Sequence, residues 1–123
     1  MKNMLLMLLV YTLALASSQI LLKAGANQIG NFNVKSLSDV FPLILAMVRN
    51  PFVLLGTLVL ASSYLLWIYM LSWFKLGLIF PLSALAFIFV AILSYFLLGE
   101  RFSTLNYCGM LLIFGGLFFL LYK

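Results

Sequence analysis

The sequence predicts an all-α integral membrane protein with four transmembrane helices in a single domain. Four apolar stretches nearly fill the chain, at about residues 4–22, 52–74, 76–98 and 105–122. Each has 18 to 23 residues, close to the ~20 that a helix needs to cross a bilayer core of ~30 Å. None contains Asp, Glu, Lys or Arg, and only 7% of the whole chain is charged. Soluble domains carry about 25% charged residues, so a soluble fold is excluded.

The first span is expected to be retained. Ala14-Leu15-Ala16 imitates a signal-peptide cleavage site, but the apolar run continues to Leu22 and ends at Lys23-Ala24-Gly25. Residues 24–37 are polar and turn-rich, which predicts a loop.

A short helix is predicted to follow that loop. Ser38-Asp39 could cap it over residues 40–48, with Pro42 in its first turn. This helix is too short to span the membrane, so it is interfacial, re-entrant or the start of the second span.

The remaining links are short. Pro51 opens the second span. The second and third spans are separated by little more than Lys75 and Gly77, which predicts an antiparallel hairpin. Pro81 lies about one turn into the third span and should kink or loosen it. Residues 99–103 form a tight turn into the fourth span.

The net charge of +5 comes from basic residues near the predicted membrane edges. This placement is typical of headgroup anchoring and not of nucleic-acid binding. Four crossings distribute the cations three against four between the two sides: Lys2, Lys75 and Lys123 against Lys23, Lys35, Arg49 and Arg101. Because this is no bias under the positive-inside rule, a single orientation and a dual topology both remain open.

The residue types argue against enzymatic chemistry. The chain has no His, and its one cysteine, Cys108, excludes an intrachain disulfide and a cysteine-based metal site. No nucleophile–base pair or phosphate-cradling loop is recognisable. We therefore predict neither an enzyme nor a resident metal or cofactor.

One face of the first span carries a polar stripe of Thr12, Gln19 and Lys23, spaced i, i+7 and i+11. A glutamine inside a span costs free energy unless it finds a partner, so it should face protein or a cavity. The functional reading is a stripe leading to Lys23, which would attract a phosphate or an anionic headgroup. The alternative is an interhelical hydrogen bond from Gln19 and a snorkelling lysine.

Other candidate residues lie in the second span and after the third. Tyr64 and Trp67 lie deep enough to line a substrate cavity, although most such aromatics serve packing. Glu100 and Arg101 are a charged pair at a cavity mouth or a solvated turn. The only acids, Asp39 and Glu100, lie outside the spans, whereas a proton-coupled antiporter usually needs a buried ionisable group.

Three stretches carry a family resemblance: residues 19–23, residues 80–101 and residues 109–116. On these the chain resembles the four-helix members of the drug/metabolite transporter superfamily, which includes the EamA-like and small multidrug resistance proteins. The third stretch is similar to the seam through which small multidrug resistance proteins form dimers, often antiparallel. The resemblance implies a dimer interface with these residues: Gly109, Leu112, Ile113 and Gly116.

The chain differs from small multidrug resistance proteins at one important position, and it resembles another group of the superfamily more closely. Small multidrug resistance proteins carry an essential glutamate in the first span, where this chain has Leu15. The chain looks more similar to the small subunits proposed to flip aminoarabinose-phosphoundecaprenol. The shared features are Gln19 with Lys23, Phe80-Pro81, Glu100 and Cys108-Gly109.

The sequence and the resemblance together favour a dimeric flippase of the bacterial inner membrane. Its substrate would be a lipid-linked phosphate such as a polyprenyl-phosphate sugar. Lys23, Arg101 and Glu100 would act at the rim, Pro81 would permit gating, and the polar head would pass these residues: Gln19, Tyr64, Trp67 and Ser83. The partner is a second copy or a paralogue. Two alternatives are efflux of small cations and a non-transporting accessory subunit.

Overall fold

The computed structural model describes residues 2–122, which are mainly helical and contain no strand within that range. The helices are α1 (Lys2–Ile29), α2 (Val40–Arg49), α3 (Pro51–Trp73), α4 (Leu76–Leu82), α5 (Leu85–Leu93) and α6 (Thr104–Leu121). In the described range, four segments are long and apolar enough to cross a membrane: α1, α3, Leu76–Leu98 and α6. This confirms the predicted all-α fold with four spans. Lys123, which the sequence places on one side of the membrane, lies outside the described residues.

The first helix is longer than its apolar run. α1 continues to Ile29 and does not end at Gly25, so the first part of the predicted loop is helical. Gly25 is buried where α1 packs against the start of α3. The Asn50 side chain donates to Gln28 Oε1 at 3.1 Å and to Gly25 O at 3.5 Å. This packing supports helix beyond the membrane edge, which the polar composition did not indicate.

α1 is the central helix of the bundle and packs mainly against α3 and α5. Its buried residues Met4, Leu8, Thr12 and Ala16 recur every four positions, as expected for one helix face. The main core lies at the end of the bundle where α1 begins. It is formed by Met4, Leu8, Met70, Ile79, Leu82 and Leu117.

The third span is interrupted after Pro81. Proline lacks the N–H that would bond to the carbonyl four residues earlier. α4 ends at Leu82, and the Ala84 N–H donates to Pro81 O at 3.0 Å. The Ser83 hydroxyl donates to Phe80 O at 2.6 Å. A bond from an N–H to the carbonyl three residues earlier winds the chain more tightly than the α-helical bond to the fourth. α4 and α5 are therefore separate helical segments within one span.

The short helix α2 is separate from the second span. Asn50, between α2 and α3, has an extended backbone with ψ of 121°, as expected for a residue before proline. The predicted cap of α2 by the Asp39 side chain is wrong, since within the described chain Asp39 makes no such bond. Its carboxylate instead accepts from the backbone N–H groups of Lys35 and Ser36 at 3.0 and 3.1 Å. These bonds hold the pKa of Asp39 below its ordinary range.

α6 is the least embedded of the long helices, and its one residue described as buried is Leu117. A methyl group added at Gly109 or Gly116 would meet no atom of the described chain within 4 Å. Leu112 is 77% exposed. Of the predicted dimer seam, Leu112 and Gly116 are therefore exposed on α6, whereas Gly109 is partly buried and Ile113 is 38% exposed.

Candidate functional site

A cleft of about 440 Å³ lies between α1, the second half of the third span and α6. Three of its lining side chains are polar: Gln19 on α1, Ser94 at the end of α5 and Glu100 in the following turn. The other lining residues are Phe87, Val90, Ala91, Phe102 and Met110. An amide, a hydroxyl and a carboxylate thus face one cavity near the membrane edge.

A wide helical turn places Glu100 beside Ser94. Residues Ser94–Leu98 form a π-helical turn, a rare geometry that is frequent at functional sites. Gly99 then adopts a left-handed backbone with φ of 69°, which glycine tolerates because it has no Cβ. The Glu100 N–H donates to Ser94 O at 3.2 Å. The turn therefore directs the chain back over the end of the helix and brings Glu100 to the cleft.

The polar stripe of α1 divides between the core and the cleft. Thr12 is fully buried, and its hydroxyl donates to Leu8 O at 2.8 Å. Gln19 is exposed to the cleft. Lys23, also exposed, lies one helical turn farther along, about 6 Å toward the membrane edge. The stripe is not a continuous polar path, because the Thr12 hydroxyl is buried and hydrogen-bonded to its own helix.

Charge at the cleft comes from the turn after the third span. Glu100 is partly exposed and lines the cleft. Arg101 follows it in the chain and is exposed, outside the lining that the structure describes. Arg101 thus directly follows the lining residue Glu100, and Lys23 lies four residues after the lining residue Gln19. Both cations lie on the same side of the predicted membrane.

The other predicted site residues lie elsewhere. The ring of Trp67 stacks on that of Tyr11 with centroids 5.1 Å apart. Tyr11 lies eight residues before Gln19 on α1, about 12 Å away along the helix axis. Tyr64 is 61% exposed on the outer face of α3. Ser83 lies in the interruption of the third span, where its hydroxyl is bound to Phe80 O. These three residues do not join the described lining around Gln19.

Ser94, Phe102 and Met110 were not identified from the sequence. Ser94 is buried, and its hydroxyl donates to Ala91 O at 3.1 Å. A serine within an apolar run was a usable signal, because polar residues in spans tend to face protein. Phe102 and Met110 carried no such signal, since their type is common throughout the chain.

No protein-family model matches this chain, and neither a curated protein nor a solved structure matches it. What the protein does is therefore inferred from the chemistry of its own residues.

Proposed function

We propose that this protein is a transporter that moves a lipid-linked, phosphate-bearing substrate, such as a polyprenyl-phosphate sugar, across the bacterial inner membrane. The observation that carries the proposal is the convergence of Gln19, Ser94 and Glu100 on one cleft. Amide and carboxylate oxygens accept hydrogen bonds from sugar hydroxyls, and the amide N–H groups of Gln19 donate to them. The Ser94 hydroxyl, which donates to Ala91 O, offers its oxygen as an acceptor. A sugar head is therefore a chemically suitable occupant.

The cations beside the cleft support the phosphate part of the proposal. Lys23 lies one turn beyond Gln19, and Arg101 adjoins Glu100. Lysine and arginine at a membrane edge attract anionic headgroups, and arginine binds phosphate through two parallel hydrogen bonds. In this role Lys23 and Arg101 hold the phosphate at the rim while the sugar enters the cleft.

A dimer is part of the proposal because one chain of four spans has little room for an aqueous path. In the seam of Gly109, Leu112, Ile113 and Gly116, a Cβ at either glycine would meet no described atom within 4 Å, and Leu112 and Gly116 are exposed. Small residues allow close approach of helices in a membrane. The partner is a second copy, parallel or antiparallel, or a paralogue.

Flux in proteoliposomes tests the function. The substrate probe is a polyprenyl-phosphate sugar in the inner leaflet, detected by a sugar-modifying reagent outside. Lys23→Ala should lower the flux about tenfold to a hundredfold, since a hydrogen bond to a charged group contributes about 1.5–3 kcal/mol. Lys75→Ala, an exposed lysine at the opposite end of the spans, is the matched control. Equal flux from the two variants would remove the phosphate role of Lys23.

One observation favours a second function, the efflux of small cations. Glu100 places a carboxylate in the cleft, although Leu15 occupies the position of the glutamate in small multidrug resistance proteins. Uptake of a quaternary ammonium compound driven by a proton gradient, and lost in Glu100→Gln, would establish this function. No uptake would leave the lipid-linked substrate as the better candidate.

A further inference from the structure

A second and larger cleft, of about 520 Å³, runs between α1, α5 and α6. All of its lining residues are Leu, Ile or Phe. Leu9, Ile92 and Phe118 are 42, 48 and 61% exposed, so the lining is accessible from outside the bundle. Because α6 is only lightly packed, this apolar cleft faces the region that lipid chains occupy.

A third cleft lies between the apolar cleft and the polar cleft. This smaller cleft, of about 280 Å³, shares Ile88 and Ile92 with the apolar cleft. It also shares Ala91, Phe102 and Met110 with the polar cleft. The three clefts therefore adjoin one another along α5 and α6, and together they are called the groove. From Ser94 back to Leu82 the third span covers twelve residues, about 18 Å at helical rise.

We infer that this groove binds the hydrocarbon chain of the same lipid whose polar head occupies the cleft of Gln19, Ser94 and Glu100. The inference rests on the proposed function and specifies where the tail of the substrate lies. The polarity of the groove changes in the order of an amphiphile, from carboxylate, amide and hydroxyl at one end to Leu, Ile and Phe at the other.

The size of the groove favours a chain over a helix of a second copy. On the third span the lining of the apolar cleft runs from Leu82 to Ile92, about 15 Å at helical rise. A helix about 10 Å across occupies roughly 1,200 Å³ over that length, more than the 520 Å³ of the apolar cleft. A hydrocarbon chain about 4 Å wide, as carbon–carbon contact distances imply, occupies roughly 190 Å³ over the same length. A single chain, including a branched polyprenyl chain, therefore fits.

Selection of this chain over bulk lipid depends on its head. Lipid tails are as apolar as leucine, so the groove gains no hydrophobic free energy by exchanging one tail for another. A head held in the polar cleft keeps its own tail near the groove at a high effective concentration. Enrichment of a polyprenyl phosphate in the apolar cleft should therefore require Lys23, to which the proposed function assigns the phosphate.

Photo-crosslinking at two adjacent phenylalanines tests the inference. Phe118 lines the apolar cleft and Phe119 does not, and the two are 61 and 78% exposed on α6. Each is replaced in turn by p-benzoylphenylalanine, and the protein is placed in phosphatidylethanolamine–phosphatidylglycerol vesicles with decaprenyl phosphate as a minor component. At position 118 the decaprenyl phosphate adduct should exceed its share of the lipid about tenfold. At position 119, and at position 118 with Lys23→Ala, the adducts should follow the lipid composition.

Other outcomes overturn the inference in distinguishable ways. Adducts that follow the lipid composition at both positions would show that bulk phospholipid fills the groove. A crosslink from position 118 to a second copy would show that the groove is a dimer interface. If native mass spectrometry of the unaltered protein then still shows bound decaprenyl phosphate, the proposed function stands and only the tail site is wrong. If none is retained, the proposed function loses its support as well.

Discussion

Replacing Gly25 by alanine should destabilise the fold, although alanine is the better helix former. Gly25 lies inside α1 where that helix crosses the start of α3. A Cβ at this position would lie 2.5 Å from Val53 Cγ2, 3.0 Å from the Val53 backbone nitrogen and 3.0 Å from Asn50 Oδ1. The last two atoms belong to the cap of α3, in which Asn50 Oδ1 accepts from the N–H groups of Phe52 and Val53.

The contacts set the expected magnitude. The Val53 side chain has little freedom to turn away, because valine in a helix keeps one rotamer. Relief therefore requires α1 and α3 to separate, and such overpacking costs about 1–3 kcal/mol. Loss of the Asn50 cap would add about 1 kcal/mol, and the higher helix propensity of alanine returns about 1 kcal/mol. The net loss in the free energy of unfolding should be about 1–3 kcal/mol.

Unfolding by SDS in mixed micelles, followed by tryptophan fluorescence, measures this loss, since Trp67 stacks on Tyr11 between two spans. The matched control is Gly77→Ala, because a Cβ at Gly77 meets no atom of the described chain within 4 Å. The control should lie within about 0.5 kcal/mol of the wild type. A Gly25→Ala protein as stable as the control would refute the close packing of α1 against the cap of α3.

Three further predictions concern the dimer, the loop and the third span. Gly116→Leu should weaken dimerisation by about tenfold or more, because a larger side chain prevents close approach of helices, whereas the control Gly77→Leu should not. Förster transfer between labelled copies in vesicles measures dimerisation of both variants. Equal dimerisation would contradict a dimer interface at Gly116. Asp39 should titrate below its ordinary value of 3.8, so its stabilisation of the turn is present above that value and is lost as the pH falls through the lowered pKa. Carboxyl chemical shifts and the Lys35 amide exchange rate report this change, and a pKa of Asp39 at or above the ordinary value would contradict it. Pro81→Ala should restore a hydrogen bond in the third span and slow flux several-fold, with little change in the affinity for substrate. Unchanged flux in the proteoliposome assay would contradict a gating role for this proline.

Much of the fold follows from patterns that act within a single segment. The four spans follow from apolar length alone, because a membrane accepts only helices with internally paired backbones or closed barrels. An interruption of the third span was predicted from Pro81, although it lies at Ser83 and Ala84, beyond the position of the missing N–H. Gln19 and Glu100 were predicted as site residues from their polarity, and they line one cleft.

Features that depend on another helix were not predictable in this way. Gly25 suggested a turn, yet it is buried in a helix because α3 passes close to it. Ser94 was overlooked among apolar neighbours, although it lines the cleft with Gln19, and the π-helical turn and Gly99 bring Glu100 next to it. Tyr64 and Trp67 are near neighbours in sequence, but one faces outward and the other stacks on α1.

The sequence alone determined that this chain is a four-span helical membrane protein, because hydropathy and helical length act locally and need no knowledge of neighbouring helices. The tertiary structure decided which polar residues meet in one cleft and that an apolar cleft lies along the same helices. Those features depend on the rotation and depth of each helix against the others. Packing among α1, α5 and α6 sets that rotation and depth, and similar apolar side chains on every face of a span leave little trace of it in the sequence.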